Sequence, residues 1–338
     1  MRTAVITAAG QVDLRDIPVP DVGDDEVLVR VAACGLCTME GNLYAGRMPV
    51  YPTAAGHEVA GWVERVGARA GELEDVPGVG ELVAVDLLTR CGACRGCRGG
   101  GSAVCASPQG GMRADGAITM GAGLAEYVRV PAAQVWSVGD IAPELAAMGE
   151  PLACVVHSLR RGGFQAGDRV TVIGAGYMGH LHLALARHFQ ARSVVVVERD
   201  EQRRVDILAA GPDAAVAPDR LADVPRADVV FVTIASRESI ATALEAVADG
   251  GRIVLFGGSP DGPPAELPGY EVHRRQLTVT GSYSQEPADW RTAAELLRGG
   301  ALTARLEPLV SARYPLDDVE QALRQTAETP VYRVVVTP

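Results

Sequence analysis

The sequence predicts an α/β protein: a doubly wound parallel sheet in the middle of the chain, joined to a mostly β domain. Three observations carry this. Short β-branched runs alternate with helical stretches between residues 169 and 280. The first 150 residues instead hold short strand-like runs separated by Gly, Pro and Asp turns. The length, 338 residues with 48% hydrophobic and only 4% aromatic, suits about two domains with many tight strand–helix packings.

The elements follow in order. The opening MRTAVITAAGQVDL lacks a charged-then-apolar leader and reads as a strand. Glu26–Ala32, Glu58–Val66, Leu82–Val85 and Ala125–Val130 are the strands expected of an antiparallel first domain. Arg169–Ile173 (RVTVI) is a buried parallel strand running into Gly174-Ala175-Gly176-Tyr177-Met178-Gly179. A helical stretch, HLHLALARHFQ, and a second buried strand, Ser193–Val197, come next, and Glu198 ends that strand. Further strands are expected at Ala227–Thr233, Arg252–Phe256 and Gln276–Thr280, with a helix at Glu238–Ala248. After Ser284 the chain runs helix, strand, helix, strand, and this tail is expected to rejoin the first domain.

G-x-G-x-x-G between a strand and a helix is a dinucleotide-binding turn. Gly174 permits the tight turn, Gly176 lets a pyrophosphate approach the backbone, and Gly179 lets helix and strand pack closely. The helix N-terminus supplies amide donors for the phosphates. Glu198 stands where an acid accepts hydrogen bonds from the adenosine ribose 2′-hydroxyl and repels a 2′-phosphate, which favours NAD over NADP. Arg199 works against that preference, since a guanidinium can pair with a 2′-phosphate. Arg203, Ile234 and Gly257 are further candidate cofactor neighbours, the last two because ligands lie at the carboxyl ends of such strands.

Four cysteines, Cys91, Cys94, Cys97 and Cys105, read C-x2-C-x2-C-x7-C in a glycine-rich stretch. Four thiolates on one small loop close a tetrahedral shell around zinc and leave no open position, so this metal is structural. Disulfides are the alternative, but they belong mainly to small secreted domains. Seven cysteines without a leader point to a reducing compartment, the cytoplasm. The net charge of −11 argues against sequence-independent binding to nucleic acid or anionic membranes, and no apolar run is long enough to span a bilayer.

Cys37, His57, Glu58 and Glu150 offer a thiolate, an imidazole and carboxylates for an open metal site. Spacing alone leaves them equally readable as core residues. The motifs CGLC (34–37), GHEVAG (56–61), the cysteine lobe, EPLAC (150–154) and GAGYMG (174–179) occur in an order that resembles the zinc-dependent medium-chain alcohol dehydrogenase superfamily over essentially the whole chain. Glu-Pro-Leu and the following HSLRRGG are similar to its polyol and threonine dehydrogenase branch.

The resemblance implies a GroES-like catalytic domain from residues 1–150 and 285–338, a Rossmann domain at 151–284, and an active site in the cleft between them. It implies two zincs per chain, a structural one in the lobe and a catalytic one on Cys37, His57 and either Glu58 or Glu150. The reaction implied is hydride transfer between a nicotinamide and a secondary alcohol or ketone of a polar metabolite such as a polyol, sugar, cyclitol or amino alcohol. It also suggests a homodimer or homotetramer, paired through edge strands near Gln276–Ser282.

The family usually carries Ser or Thr two residues after the cysteine ligand, followed by Asp. Here the run is Cys37-Thr38-Met39-Glu40. Glu40 can replace the aspartate beside His57. Met39 cannot relay a proton, so Thr38, Tyr44, a carboxylate or water must. Arg47, Tyr44 and Tyr51 suit a pocket for a polar or anionic substrate, or, for Arg47, plain surface. Two other readings stand beside the main one: redox-neutral epimerisation or elimination with tightly held NAD, and a cofactor-binding scaffold with structural zinc alone.

Overall fold

The computed structural model describes residues 1–73, 75–88, 90–106, 113, 115–258, 266–329 and 331–338. From the N-terminus run β1 (Arg2–Ala8), β2 (Gln11–Asp16), β3 (Glu26–Leu36), α1 (Thr38–Tyr44), β4 (Thr53–Ala54), β5 (Glu58–Val66) and β6 (Leu82–Asp86). They are followed by α2 (Arg95–Arg98), β7 (Ile118–Thr119), β8 (Tyr127–Pro131), β9 (Val135–Ser137), α3 (Pro143–Ala146) and α4 (Gly149–Arg161). The middle holds β10 (Arg169–Ile173), α5 (Tyr177–His188), β11 (Ser193–Val197), α6 (Glu201–Leu208), β12 (Ala214–Val216), β13 (Ala227–Val232), α7 (Arg237–Ala246), β14 (Val247–Leu255), α8 (Gly269–Arg274) and β15 (Thr278–Gly281). The chain closes with α9 (Pro287–Arg298), α10 (Thr303–Leu306), β16 (Val310–Pro315), α11 (Val319–Glu328) and β17 (Arg333–Thr337).

Contacts divide the chain into two units, residues 1–153 with 286–338, and residues 154–285. In the first unit, β3 is the spine of a sheet ordered β16-β17-β3-β5-β6-β9. Eleven residues long and rich in valine, β3 pairs antiparallel with β5 along one edge. Its other edge is shared by β8, at Glu26–Arg30, and β17, at Cys34–Leu36. Two register shifts in the β3–β5 ladder bend the strand; such bulges commonly sit beside functional sites. Gly61 on β5 is required there, because a Cβ would lie 2.1 Å from the Arg30 carbonyl oxygen. A second sheet, β2-β1-β4-β7, packs Ile6 and Ala4 into the same core as Val27, Val29, Val83, Leu316 and Val334.

In the second unit all six strands are parallel, in the order β12-β11-β10-β13-β14-β15. The order reverses between β10 and β13, the switch point where an open α/β sheet binds ligand beyond its strand ends. The strands read as continuous valine runs because helices cover both faces. β14 begins five residues before the expected Arg252, pairing Val247 with Ala227. β15 begins two residues after the expected Gln276, whose φ of +52° breaks the extended run.

Candidate metal centre and cofactor site

The end of β3 delivers Cys37 to the N-cap of α1, where its sulfur accepts a 3.5 Å hydrogen bond from the Met39 amide. Glu40, three residues on, closes a capping box: its Oε2 accepts from the Cys37 amide at 3.0 Å. The other oxygen, Oε1, accepts from the Gly56 amide at 3.1 Å and lies 2.9 Å from His57 Nδ1. With Nδ1 as donor to this carboxylate, Nε2 is left with a lone pair, the arrangement typical of a metal-binding histidine. Burial opposes charge on both partners, yet their mutual attraction wins: Glu40 is held below the usual carboxylate range and His57 well above the usual imidazole value.

Glu58 opens β5 with its side chain buried. Oε1 meets Arg333 Nη2 at 3.0 Å, and Oε2 has no hydrogen-bond partner. Arg333 begins β17 and donates to the Leu36 carbonyl at 2.6 Å, so the last strand locks onto the end of β3. Burial, offset by Arg333 and reinforced by Glu150, pushes the Glu58 carboxyl up to about 7. Gly35 makes the room: a Cβ there would lie 2.4 Å from Glu58 Oε2.

Ligand atoms of Cys37, His57 and Glu58 all lie within 4.8 Å of one another. Glu150, in the first turn of α4, is outside that group; its charge acts on Glu58 from beyond it. Thr38 is exposed beside Cys37, while Met39 packs against the core. Arg47 and the two tyrosines, expected to suit a polar pocket, each have a partner within the chain. Arg47 Nε donates to Asn42 at 2.8 Å on an exposed turn, Tyr44 to Glu320 at 3.2 Å, and Tyr51 to the Leu43 carbonyl at 2.5 Å. Their hydroxyls and guanidinium hold local structure. Arg333 was not visible in the sequence reading; its one signal is a lone cation heading a run of valines.

Cys91, Cys94, Cys97 and Cys105 also bring their sulfurs within 4.8 Å of one another. Three amides aim at three of the sulfurs: Cys94 at Cys91 (3.3 Å), Cys97 at Cys94 (3.4 Å) and Cys91 at Cys105 (3.4 Å). The Cys97 amide first, then the Ala106 amide and the neighbouring thiols, draw the Cys94 thiol down to about 6, while desolvation and the neighbouring sulfurs push Cys97 up to about 12. One thiolate forms readily and the full set needs a cation to hold it.

In the second unit Gly174 sits at φ +105°, and a Cβ there would meet Thr233 Oγ1 at 2.3 Å. A Cβ on Gly179 would come within 2.0 Å of the Gly174 carbonyl oxygen, so α5 packs on the turn only because both residues are glycine. Glu198 is buried; its Oε2 accepts from the Ala175 amide at 2.8 Å and its Oε1 from the Asp200 amide at 3.0 Å. Arg203 reaches to 3.9 Å from the Cβ position of Gly176, whereas Arg199 is exposed. Tyr177 and Met178 form the first turn of α5. Ile234 follows β13, exposed, and Gly257 follows β14 with its carbonyl accepting from the Ala235 amide at 2.6 Å.

A parallel six-stranded sheet with a glycine turn, together with a β unit bearing a cysteine lobe and a Cys-His-Glu group, defines a zinc-dependent dehydrogenase. Residues 23–140 match the family model of the alcohol dehydrogenase GroES-like domain, and residues 178–299 that of the zinc-binding dehydrogenase. The chain is 32% identical to a D-altritol 5-dehydrogenase of Agrobacterium fabrum over 92% of its length and 91% of that protein's. It is 30% identical to an L-threonine 3-dehydrogenase of Saccharopolyspora erythraea, covering 93% of this chain and 92% of that one. A zinc-binding dehydrogenase of Sinorhizobium meliloti, solved bound to NADP, superposes with a TM-score of 0.88 at 29% identity, covering 100% and 99% of the two chains. The chain belongs to the zinc-dependent medium-chain alcohol dehydrogenase family, in its polyol and threonine dehydrogenase branch. Among the described residues, no helix is long and apolar enough to cross a membrane.

Proposed function

We propose that this enzyme transfers hydride between NAD and a secondary alcohol or ketone of a polar metabolite, with a catalytic zinc on Cys37, His57 and Glu58 and a structural zinc in the cysteine lobe. One observation carries the catalytic site: a thiol, an imidazole turned by Glu40 and a buried carboxylate bring their ligand atoms within 4.8 Å of one another, and the carboxylate keeps one oxygen, Oε2, without a hydrogen-bond partner. A thiolate, an imidazole and a carboxylate with a fourth position open suit catalytic zinc. Zinc bound there would polarise the substrate oxygen, and the nicotinamide would exchange the hydride.

The remaining work falls to the chain. Glu40 holds the His57 ring in one tautomer and orientation. Arg333 neutralises Glu58 without occupying Oε2. Thr38, exposed next to Cys37, is the hydroxyl placed to pass the substrate proton to solvent, since Met39 is packed into the core. Glu150 supplies long-range negative charge.

At the cofactor end, the carboxylate of Glu198 keeps lone pairs for the ribose hydroxyls after accepting its two amides. That supports NAD, with Ala175 and Gly176 cradling the pyrophosphate and Arg203 beside them. The edge strand β15 supports pairing of two chains into a homo-oligomer, and seven cysteines in a chain of this size support a reducing, cytoplasmic site.

The test is zinc per chain by elemental analysis on the native protein and on Cys37→Ser, with NAD reduction measured over polyols, sugar acids and β-hydroxy amino acids. Two zincs falling to one, with NADH released during turnover, is expected. One zinc in both proteins overturns the catalytic site, and turnover without NADH release overturns net oxidation.

A further inference from the structure

Glu58 and Asp86 are direct partners across the β5–β6 ladder, so their side chains stand on the same face of the sheet. Both carboxylates are buried, at 2% exposure each, and Glu150 adds its negative charge to the field at both. Two buried acids side by side are tolerable only if each has its own countercharge. Each has: Arg333 lies 3.0 Å from Glu58, and Arg90 lies 2.6 Å from Asp86. Arg90 immediately precedes Cys91, and its side chain is only 10% exposed.

Asp86 and Leu88 are held independently of the Arg90 guanidinium. Asp86 Oδ1 accepts from the Leu88 amide at 3.0 Å, and Gln134 Nε2 donates to the carbonyls of Asp86 (2.5 Å) and Leu88 (3.1 Å). Arg90 also donates to the Leu88 carbonyl at 3.1 Å. To Asp86 it brings a buried positive charge at 2.6 Å.

We propose that Arg90 and Asp86 are a positioning pair for Glu58. By neutralising Asp86, Arg90 leaves the charge of Arg333 to Glu58 and so holds the Glu58 carboxylate in the Cys37–His57 group. Without Arg90, the Asp86 carboxylate repels Glu58 and competes with it for Arg333, and the metal-binding geometry loosens. The inference rests on the catalytic-metal reading above.

The experiment follows zinc release to a chelator at fixed pH, by absorbance of a zinc-sensitive dye, on the full chain and on a Cys94→Ser background that isolates the second metal. Arg90→Met should release that metal about 10–100-fold faster, the cost typical of removing an outer support of a metal ligand. Arg90→Lys keeps the charge and should release it at nearly the native rate. Asp86→Asn/Arg90→Met removes both charges and should also restore it. A native rate in Arg90→Met overturns the proposal, as does a double variant as fast as the single one, which would make the pair a support of the turn only. If Arg90→Met does not fold, the double variant decides: native-like release sustains the proposal, and failure to fold overturns it. A native protein holding only the lobe zinc defeats the catalytic-metal reading itself, and the proposal with it.

Discussion

The two groups proposed to bind zinc are built in opposite ways. The cysteine lobe draws four ligands of one type from fifteen consecutive residues on a half-exposed, glycine-rich loop, oriented by its own amides. The Cys37–His57–Glu58 group draws three ligand types from the start of a helix and the approach to a strand, and it is held by Glu40 and by Arg333 from the far end of the sequence. The lobe saturates its metal with its own side chains. The second group spends buried charge to hold three ligands and leave a position open. A closed local site needs only a flexible loop, whereas an open one needs the sheet around it.

The sharpest break between them is a pair of single substitutions. Cys37→Ser should remove one zinc and lower kcat/KM on the order of 10³-fold, the few kcal/mol a polarising metal supplies, with the unfolding midpoint little changed. Cys94→Ser should remove the other zinc and reverse the pattern, costing about 2–3 kcal/mol of stability, or about 5–10 °C, with much smaller loss of activity. Elemental analysis, steady-state kinetics and calorimetry on both variants check this. If both variants lose activity alike, the two sites do not have separate roles.

Next in size is Gly35→Ala. The added Cβ claims the space of Glu58 Oε2, so the catalytic-site zinc should bind about 10–100-fold more weakly while the lobe zinc is untouched. Equilibrium competition with a chelator measures it. Glu40→Gln should fall in the same range or below, because the amide keeps the capping contact but loses the charge facing His57.

The smallest effect contrasts two histidines. His57 faces a carboxylate, whereas His182 faces none: its Nδ1 donates to the Met178 carbonyl at 2.7 Å and its Nε2 accepts from Ser158 at 3.0 Å, between Phe231 and Phe256. Burial, only partly offset by that carbonyl, lowers its pKa to about 4. The unfolded chain takes up this proton near 6.5, the folded chain only near 4, so stability is intact above 6.5 and is lost as pH falls through that window. Between pH 6.5 and 5 the loss is roughly 2 kcal/mol. His182→Gln should flatten this part of the pH–stability curve in denaturant titrations. An unchanged slope would place the acid sensitivity elsewhere.

The lobe and the glycine turn were legible in the sequence because everything they need lies within about fifteen residues, and spacing is then nearly geometry. So were β10, β11 and β13 of the second unit, each a run of β-branched residues, whereas β12, three residues of Ala and Val, was not among the expected strands. Arg333 was not, because its role depends on β17 joining β3, a pairing across about 300 positions. The intrachain partners of Arg47, Tyr44 and Tyr51 were not legible for a related reason. Side-chain type suggests polarity, but which carbonyl or carboxylate consumes that polarity is decided by packing. Glu40 was readable because the family pattern carries an acid three residues after the cysteine ligand, beside the histidine; its capping of α1 was not read.

β17 reaches β3 only after residues 154–285 have been made. On a chain that emerges from the N-terminus, the inserted unit has all its strands while the edge of β3 at Cys34–Leu36 is still bare, and Glu58 still lacks Arg333. Cys37, His57 and Glu58 are then present but unbraced, beside a strand edge open to other chains. The order of synthesis therefore makes the metal-binding sheet the last part to close, and the stage of biosynthesis most exposed to misassembly.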